Sequence, residues 1–178
     1  NLSSVENSIL DTPHSPNLGS KSAKVVLVEF FDPACETCAQ FAPLVKKLVE
    51  KHNPNLRLVL RYATFHENSH AVVKMLEATR AQGKYWEALE AVLAYQHTWT
   101  VNHVAYPSRV WSILEHAGVD VEALKVQMKN PDIEANIAKD IEDAKASGAT
   151  KTPSFFVNGK PLEQFGYEPL IKLIESAL

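Results

Sequence analysis

Cysteine is scarce: the chain of 178 residues has two. That is too few for a disulfide-stapled mini-domain and too few for a closed four-thiolate zinc site. A basic excess is also missing. Eighteen Lys and Arg against 21 Asp and Glu leave a formal charge of −3, so the footprint of a nucleic-acid binder is absent. Long apolar runs are missing as well. Stretches such as Val25–Val28 last a few residues, whereas a membrane span needs about 20. There is no internal repeat and no low-complexity tract. What is present is an ordinary globular composition. At 46% hydrophobic and 22% charged residues, the chain has enough apolar surface to offset the entropy of folding, which excludes a disordered polypeptide. Asn1 opens the chain, as expected of a removed leader or a trimmed start, and compartment has to be argued from chemistry.

The pattern along the chain alternates in type. Residues 1–23 are polar and punctuated by Pro13, Pro16 and Gly19. They read as an N-terminal arm without assigned structure, from which Val5, Ile9 and Leu10 could dock. Lys24 to Asp32 holds the run VVLVEFF, a strand buried on both faces. From Cys35 the period changes to helical, with Phe41, Leu44, Val45, Leu48 and Val49 on one face and a kink expected at Pro43. Asn53-Pro54-Asn55 closes this helix, and Leu56 to Phe65 is a second strand. Strand, helix and strand over 24–66 make a βαβ unit with parallel strands. Residues 67–148 carry helical periodicity only and read as an all-helical block, with Asp120 capping one helix and Pro131 opening another. Over 149–178, strand signals return at Ser154 to Val157. Asn158-Gly159 is a two-residue hairpin turn, Lys160 to Leu162 is the return strand, and Tyr167 to Leu178 is a short amphipathic helix.

The two cysteines stand at Cys35 and Cys38, just after a buried strand and at the start of a helix. Two intervening residues allow ring closure to a disulfide. The first helical turn offers unpaired N–H groups and positive dipole character, both of which stabilise a thiolate. Cys35, at the tip, is therefore expected to be the exposed nucleophile. Cys38, one turn inward, is expected to be more buried and to resolve a mixed disulfide. Other readings of a lone C-x-x-C are a structural disulfide or half of a metal site.

Three segments together resemble the thioredoxin superfamily, and more closely its DsbA-like thiol-disulfide oxidoreductases. They are VVLVEFFDPACETCAQFAP, with Pro43 five residues beyond Cys38; RAQGKYWEALEAVLAYQHTW; and KTPSFFVNGKPL. The resemblance covers 24–178. It implies an α/β thioredoxin fold with the helical block 67–148 inserted between the second and third core strands, so that 24–66 and 149–178 form the thioredoxin-like part. It further implies a cis Thr152–Pro153 bond, with Thr152 and Pro153 binding an extended substrate strand. Glu29 corresponds to the buried acid that assists proton transfer at Cys38. An unpaired charge inside VVLVEFF is costly, which agrees with a special role. Glu36 and Thr37 stand where strongly oxidising DsbA proteins have Pro-His. A carboxylate beside Cys35 disfavours the thiolate, so a less oxidising pair is expected. The implied activity is exchange of disulfides with unfolded or partly folded proteins. No cofactor is needed beyond the Cys35–Cys38 disulfide, and a redox partner regenerates the pair. The chain is expected to be a monomer in the periplasm or another extracytoplasmic compartment, without nucleic-acid binding or membrane insertion.

Two other patterns compete. His66-Glu67-Asn68-Ser69-His70 spells H-E-x-x-H, a zinc-protease motif when it lies on a helix. Here it directly follows a strand and contains helix-start residues, so coincidence is expected. Two thiolates could also hold Cu(I), which makes a copper-handling dithiol protein the alternative to an oxidase, isomerase or reductase. Trp86, Trp99 and Trp111, with Tyr85, Tyr95 and Tyr106, read as core of the helical block. His97 and His103 flank a loop and receive no role.

Overall fold

The computed structural model describes residues 9–178. In chain order the strands are β1 Asn17–Leu18, β2 Val25–Phe31, β3 Leu56–Tyr62, β4 Thr100–Val101, β5 Val104–Ala105, β6 Ser154–Val157 and β7 Lys160–Pro161. The helices are α1 Glu36–Lys51, α2 Ser69–Ala78, α3 Tyr85–Ala94, α4 Gln96–Trp99, α5 Trp111–His116, α6 Val121–Gln127, α7 Pro131–Ser147 and α8 Tyr167–Ala177. Short 3-10 turns cover Thr79–Gln82 and Pro107–Arg109. Among the described residues no helix is long and apolar enough to cross a membrane.

The chain forms two compact units. The first holds the described residues up to Phe31, Pro43–Ala63 and Asp140–Leu178. Its five strands lie in the order β1-β3-β2-β6-β7. β2 is central, which is why VVLVEFF is almost wholly covered: even Glu29 is 4% exposed. β2 and β3 run parallel from Val25↔Leu56 to Phe31↔Tyr62, as a βαβ unit requires. β6 is antiparallel to β2, and β7 to β6. The β6–β7 turn uses Asn158 at φ 48° and Gly159 at φ 82°, the left-handed pair that a twisted two-residue hairpin needs. Asn158 also fastens the turn to β2, accepting from the Val26 N–H through Oδ1 at 2.8 Å and donating its own N–H to the Val26 carbonyl at 2.9 Å.

From Ile9 onward the arm has more structure than its sequence suggests. β1 pairs antiparallel with β3 at Asn17↔Val59 and Leu18↔Leu58. Leu10 is fully buried in a cluster with Val28, Phe30, Val59, Ala63, Ala144, Ala149 and Phe156, and Ile9 packs against it. Val5 lies outside the described residues. Gly19 lets the arm pass close to β3, since a Cβ there would meet the Leu56 carbonyl oxygen at 2.6 Å. A two-residue strand between Pro16 and Gly19 carries no periodicity, so its pairing is not legible locally.

The second unit holds Asp32–Ala42 and Thr64–Lys139, which groups the cysteine segment with the helical block. The block is mainly helical, but it also carries a short antiparallel ribbon of β4 and β5. This corrects the expectation that 67–148 is helical throughout. The ribbon turns at Asn102 and His103, both at positive φ, a hairpin made without glycine and so without the usual signal. α3 and α4 are separated by a break at Tyr95. Tyr85 and Trp99 are core residues, and Trp99 Nε1 donates to the Val92 carbonyl at 2.9 Å. Tyr95 and Tyr106 are exposed, contrary to their assignment as core.

Asp120 caps α6 as expected, accepting from the Ala123 N–H at 3.1 Å. Asp120→Ala should lower stability by about 1 kcal/mol, read as a shift in urea midpoint at unchanged slope. An unchanged midpoint would mean that water replaces the cap without loss.

Candidate active site

β2 ends at Phe31, and the next four residues turn the chain into α1. Asp32 governs that turn. Its backbone carbonyl accepts from the Cys35 N–H at 3.0 Å, and its Oδ1 accepts from the Ala34 N–H at 2.9 Å. The side chain is fully buried, and Oδ2 takes three more donors. These are the His66 N–H at 2.9 Å, His66 Nδ1 at 2.9 Å and the Ser69 hydroxyl at 3.2 Å. Such a donor set compensates a carboxylate removed from water.

Cys35 occupies the cap position of α1: its carbonyl accepts from the Ala39 N–H at 3.1 Å. The Cys38 N–H donates to Cys35 Sγ at 3.2 Å. The sulfur thus takes the place of a capping oxygen, receiving one of the N–H groups that a helix start leaves without a helical partner. Neither cysteine is joined in a disulfide. Cys35 is 5% exposed and Cys38 1%. The expectation of an openly exposed Cys35 is corrected: its sulfur turns down onto the first helical turn instead of out to solvent. Glu36 is exposed and Thr37 half-buried.

Gln96, from the start of α4, completes this segment. Its buried amide donates to the Pro33 carbonyl at 2.7 Å and to the Cys35 carbonyl at 2.8 Å. Asp32, His66, Ser69 and Gln96 were not singled out as site residues from sequence. For Asp32 a signal existed, a carboxylate directly after a buried run and three residues before the first cysteine. For Gln96 none did, since its target is 61 residues away.

The other anticipated residues belong to the first unit. Glu29 sits in β2 opposite Leu60 of β3 and Phe155 of β6, and is buried. The Thr152–Pro153 peptide is cis and immediately precedes β6, with Pro153 buried and Thr152 half-buried. The two imidazoles of the H-E-x-x-H string take different partners. His66 goes to Asp32, whereas His70 Nε2 pairs with Glu134 at 2.9 Å. Only His70 lies on α2, so the helical spacing of a zinc motif is not formed. Burial works against ionisation of Glu134, yet hydrogen bonds from Lys74 and His70 hold its carboxyl below the usual range.

A dithiol at a helix start, a cis proline before an antiparallel strand, and a parallel β2–β3 pair together describe a known arrangement. The sequence model described as Thioredoxin matches residues 11–176. The chain belongs to the thioredoxin family. A solved thioredoxin-like oxidoreductase from Silicibacter pomeroyi is similar over nearly the whole molecule, with TM-score 0.83 and 30% identity, covering 97% of this chain and 96% of that one. The oxidoreductase DsbA from Xylella fastidiosa shares the fold at TM-score 0.73 and 18% identity, over 88% of this chain and 84% of that one. A Rickettsia prowazekii relative named "Putative protein-disulfide oxidoreductase" is 28% identical, over 90% of this chain and 60% of its own length. The Na(+)/H(+) antiporter NhaA of Herminiimonas arsenicoxydans is 30% identical, over 86% of this chain. This thioredoxin-family chain spans only 24% of that antiporter's length.

Proposed function

We propose that this chain is a thiol-disulfide oxidoreductase that exchanges disulfides with protein substrates, acting as a DsbA-like dithiol oxidase of moderate oxidising power. The observation that carries the reading is the 3.2 Å approach of the Cys38 N–H to Cys35 Sγ at the start of α1. A hydrogen bond to sulfur favours the thiolate over the thiol, and the helix dipole adds to it. A sulfur that is a stable thiolate is also a good leaving group. The names of the Silicibacter and Rickettsia relatives support the same reading.

In the oxidising direction a client thiolate attacks Cys35 Sγ of the Cys35–Cys38 disulfide, and Cys38 leaves as a thiolate. A second client thiolate then attacks the client sulfur of the mixed disulfide. Cys35 departs as a thiolate, the client gains one disulfide and the pair is left reduced. Two electrons pass from client to enzyme, and a redox partner takes them on. Glu29 assists the proton balance at Cys38, and Thr152 and Pro153 bind the extended client segment. Glu36, one residue from Cys35, opposes the thiolate and tempers oxidising power. The thioredoxin-like part comprises 24–66 and 149–178, with 67–148 as the insertion. The protein needs no cofactor beyond its cysteine pair, and acts as a monomer in the periplasm or another extracytoplasmic space, where client disulfides persist.

The test has two parts. The oxidised protein is mixed with a reduced, unfolded multi-cysteine client, and the pair is separately equilibrated with glutathione. Expected are client disulfides formed stoichiometrically with reduction of the pair, and a potential between about −120 and about −270 mV. A value at or below the lower figure would make the chain a reductase. No transfer at all, with one Cu(I) bound per dithiol, would replace exchange by copper handling.

A further inference from the structure

The thiolate at Cys35 has unfavourable neighbours. Glu36 follows it, and Asp32, fully buried, precedes it by three residues. The Asp32 carboxylate accepts from the N–H of Ala34, the residue before Cys35, at 2.9 Å, which sets its charge within the segment that carries the sulfur that must become anionic. Two anions in one low-dielectric segment oppose each other. The Cys-Glu-Thr-Cys segment contains no cation to offset them.

The offset is supplied from another part of the same unit. His66 Nδ1 lies 2.9 Å from Asp32 Oδ2, and its side chain is 21% exposed. A carboxylate only accepts, so Nδ1 carries a hydrogen and Nε2 takes up or releases the titrating proton. Charged and titratable neighbours of this imidazole come from three segments. Asp32 faces it from the cysteine segment. His103 of the β4–β5 ribbon packs with ring centroids 6.1 Å apart. Glu67 follows it in sequence and is exposed, with its backbone carbonyl tied to the ribbon by the Ala105 N–H at 2.9 Å.

We infer that His66 is a positioning residue of the dithiol that acts through Asp32. Protonated His66 cancels the buried negative charge behind Cys35, and neutral His66 leaves it in place. The imidazole thereby supplies, from outside the motif, the positive charge that Glu36 and Thr37 do not. The sign follows directly. When acidification protonates the imidazole, Asp32 becomes compensated and thiolate formation at Cys35 becomes easier, just when proton activity makes it harder. The two effects oppose each other, and Cys35 reactivity changes little across mildly acidic pH.

This inference rests on the disulfide-exchange reading, and the experiment separates the two. Cys35 alkylation by iodoacetamide and the ultraviolet absorbance of its thiolate are followed across pH in the full chain. The wild type should show a broadened, two-step profile. His66→Asn places an amide N–H where Nδ1 was, so the hydrogen bond to Asp32 is kept and the proton is not. On the acid side this variant should alkylate about fivefold more slowly than wild type, converging with it on the alkaline side where the wild-type imidazole is neutral, as expected for one compensating charge partly screened. His66→Gln, also uncharged, should behave alike. A uniform slowing at every pH in both variants would reduce His66 to a structural role and overturn the inference. So would a wild type that titrates as a single site, a result that does not depend on either variant folding. Client oxidation by the wild type, measured alongside, reports on the underlying reading: its loss overturns that reading, whereas normal exchange with an unchanged profile in the variants overturns only the role of His66.

Discussion

Cys35→Ser should bring disulfide exchange with a client protein down to background, a loss on the order of a hundredfold or more. Serine can neither form the disulfide nor present a thiolate, and the remaining sulfur is badly placed to substitute. Cys38 lies one turn into α1, is 1% exposed, and spends its own N–H on Cys35 Sγ rather than receiving one there. Cys38→Ser should fail differently. Cys35 keeps its place at the start of the helix and attacks a client disulfide, but no internal thiol releases the product. A covalent adduct should accumulate and be visible by non-reducing electrophoresis and mass spectrometry. The contrast between the variants is the informative part, because a purely structural cysteine pair would show stability loss in both and adduct in neither. Full exchange by Cys35→Ser would mean that the chemistry resides elsewhere in the chain.

The parts of this site legible in the sequence are those written in consecutive residues. VVLVEFF reads as a covered central strand because no polar alternation interrupts it except Glu29, and the structure buries that residue too. Cys35 and Cys38 read as a redox pair because strand end and helix start flank them. Asn158-Gly159 reads as a hairpin turn because few dipeptides tolerate two left-handed residues. The cis form of Thr152–Pro153 came from family likeness alone, since nothing in Lys151-Thr152-Pro153-Ser154 distinguishes it from a trans bond.

What could not be read depends on partners distant in sequence. Asp32 receives His66 from 34 residues away, and Cys35 receives Gln96 from 61 away. A one-dimensional pattern shows that a residue is polar, but not that several donors converge on it. His66 was legible only as part of H-E-x-x-H, a string whose two histidines serve different carboxylates once folded. The near-complete burial of Cys35 is not legible in the sequence for a related reason. Helix-start logic places the sulfur in the right turn, whereas the direction it takes within that turn depends on the Cys38 N–H.

Arg61 carries the largest expected stability effect. Its guanidinium is fully buried beneath the arm. Nε donates to Asp140 Oδ1 and Nη2 to Asp143 Oδ2, both at 2.6 Å. Nη1 donates to the carbonyls of Ile9 at 2.7 Å and Leu10 at 3.1 Å, and the cation lies 5.4 Å from the centre of the Phe30 ring. Asp140 also accepts from His14 at 2.8 Å and from the Tyr62 N–H at 3.2 Å. One cation thus joins β3, α7 and the arm. Arg61→Met keeps much of the apolar stem but removes the cation from two buried carboxylates and the donor from two carbonyls. Breaking a buried pair in this way costs about 3–5 kcal/mol, equivalent to a fall in Tm on the order of 10 °C for a chain of this size. Arg57 provides the control. It also binds the arm, donating to both carboxylate oxygens of Asp11 at 3.2 and 2.6 Å, but that pair is partly exposed. Arg57→Met should therefore cost no more than about 1 kcal/mol. Urea unfolding of the two variants measures the difference. Equal losses would show that the buried network adds nothing beyond an ordinary partly exposed pair.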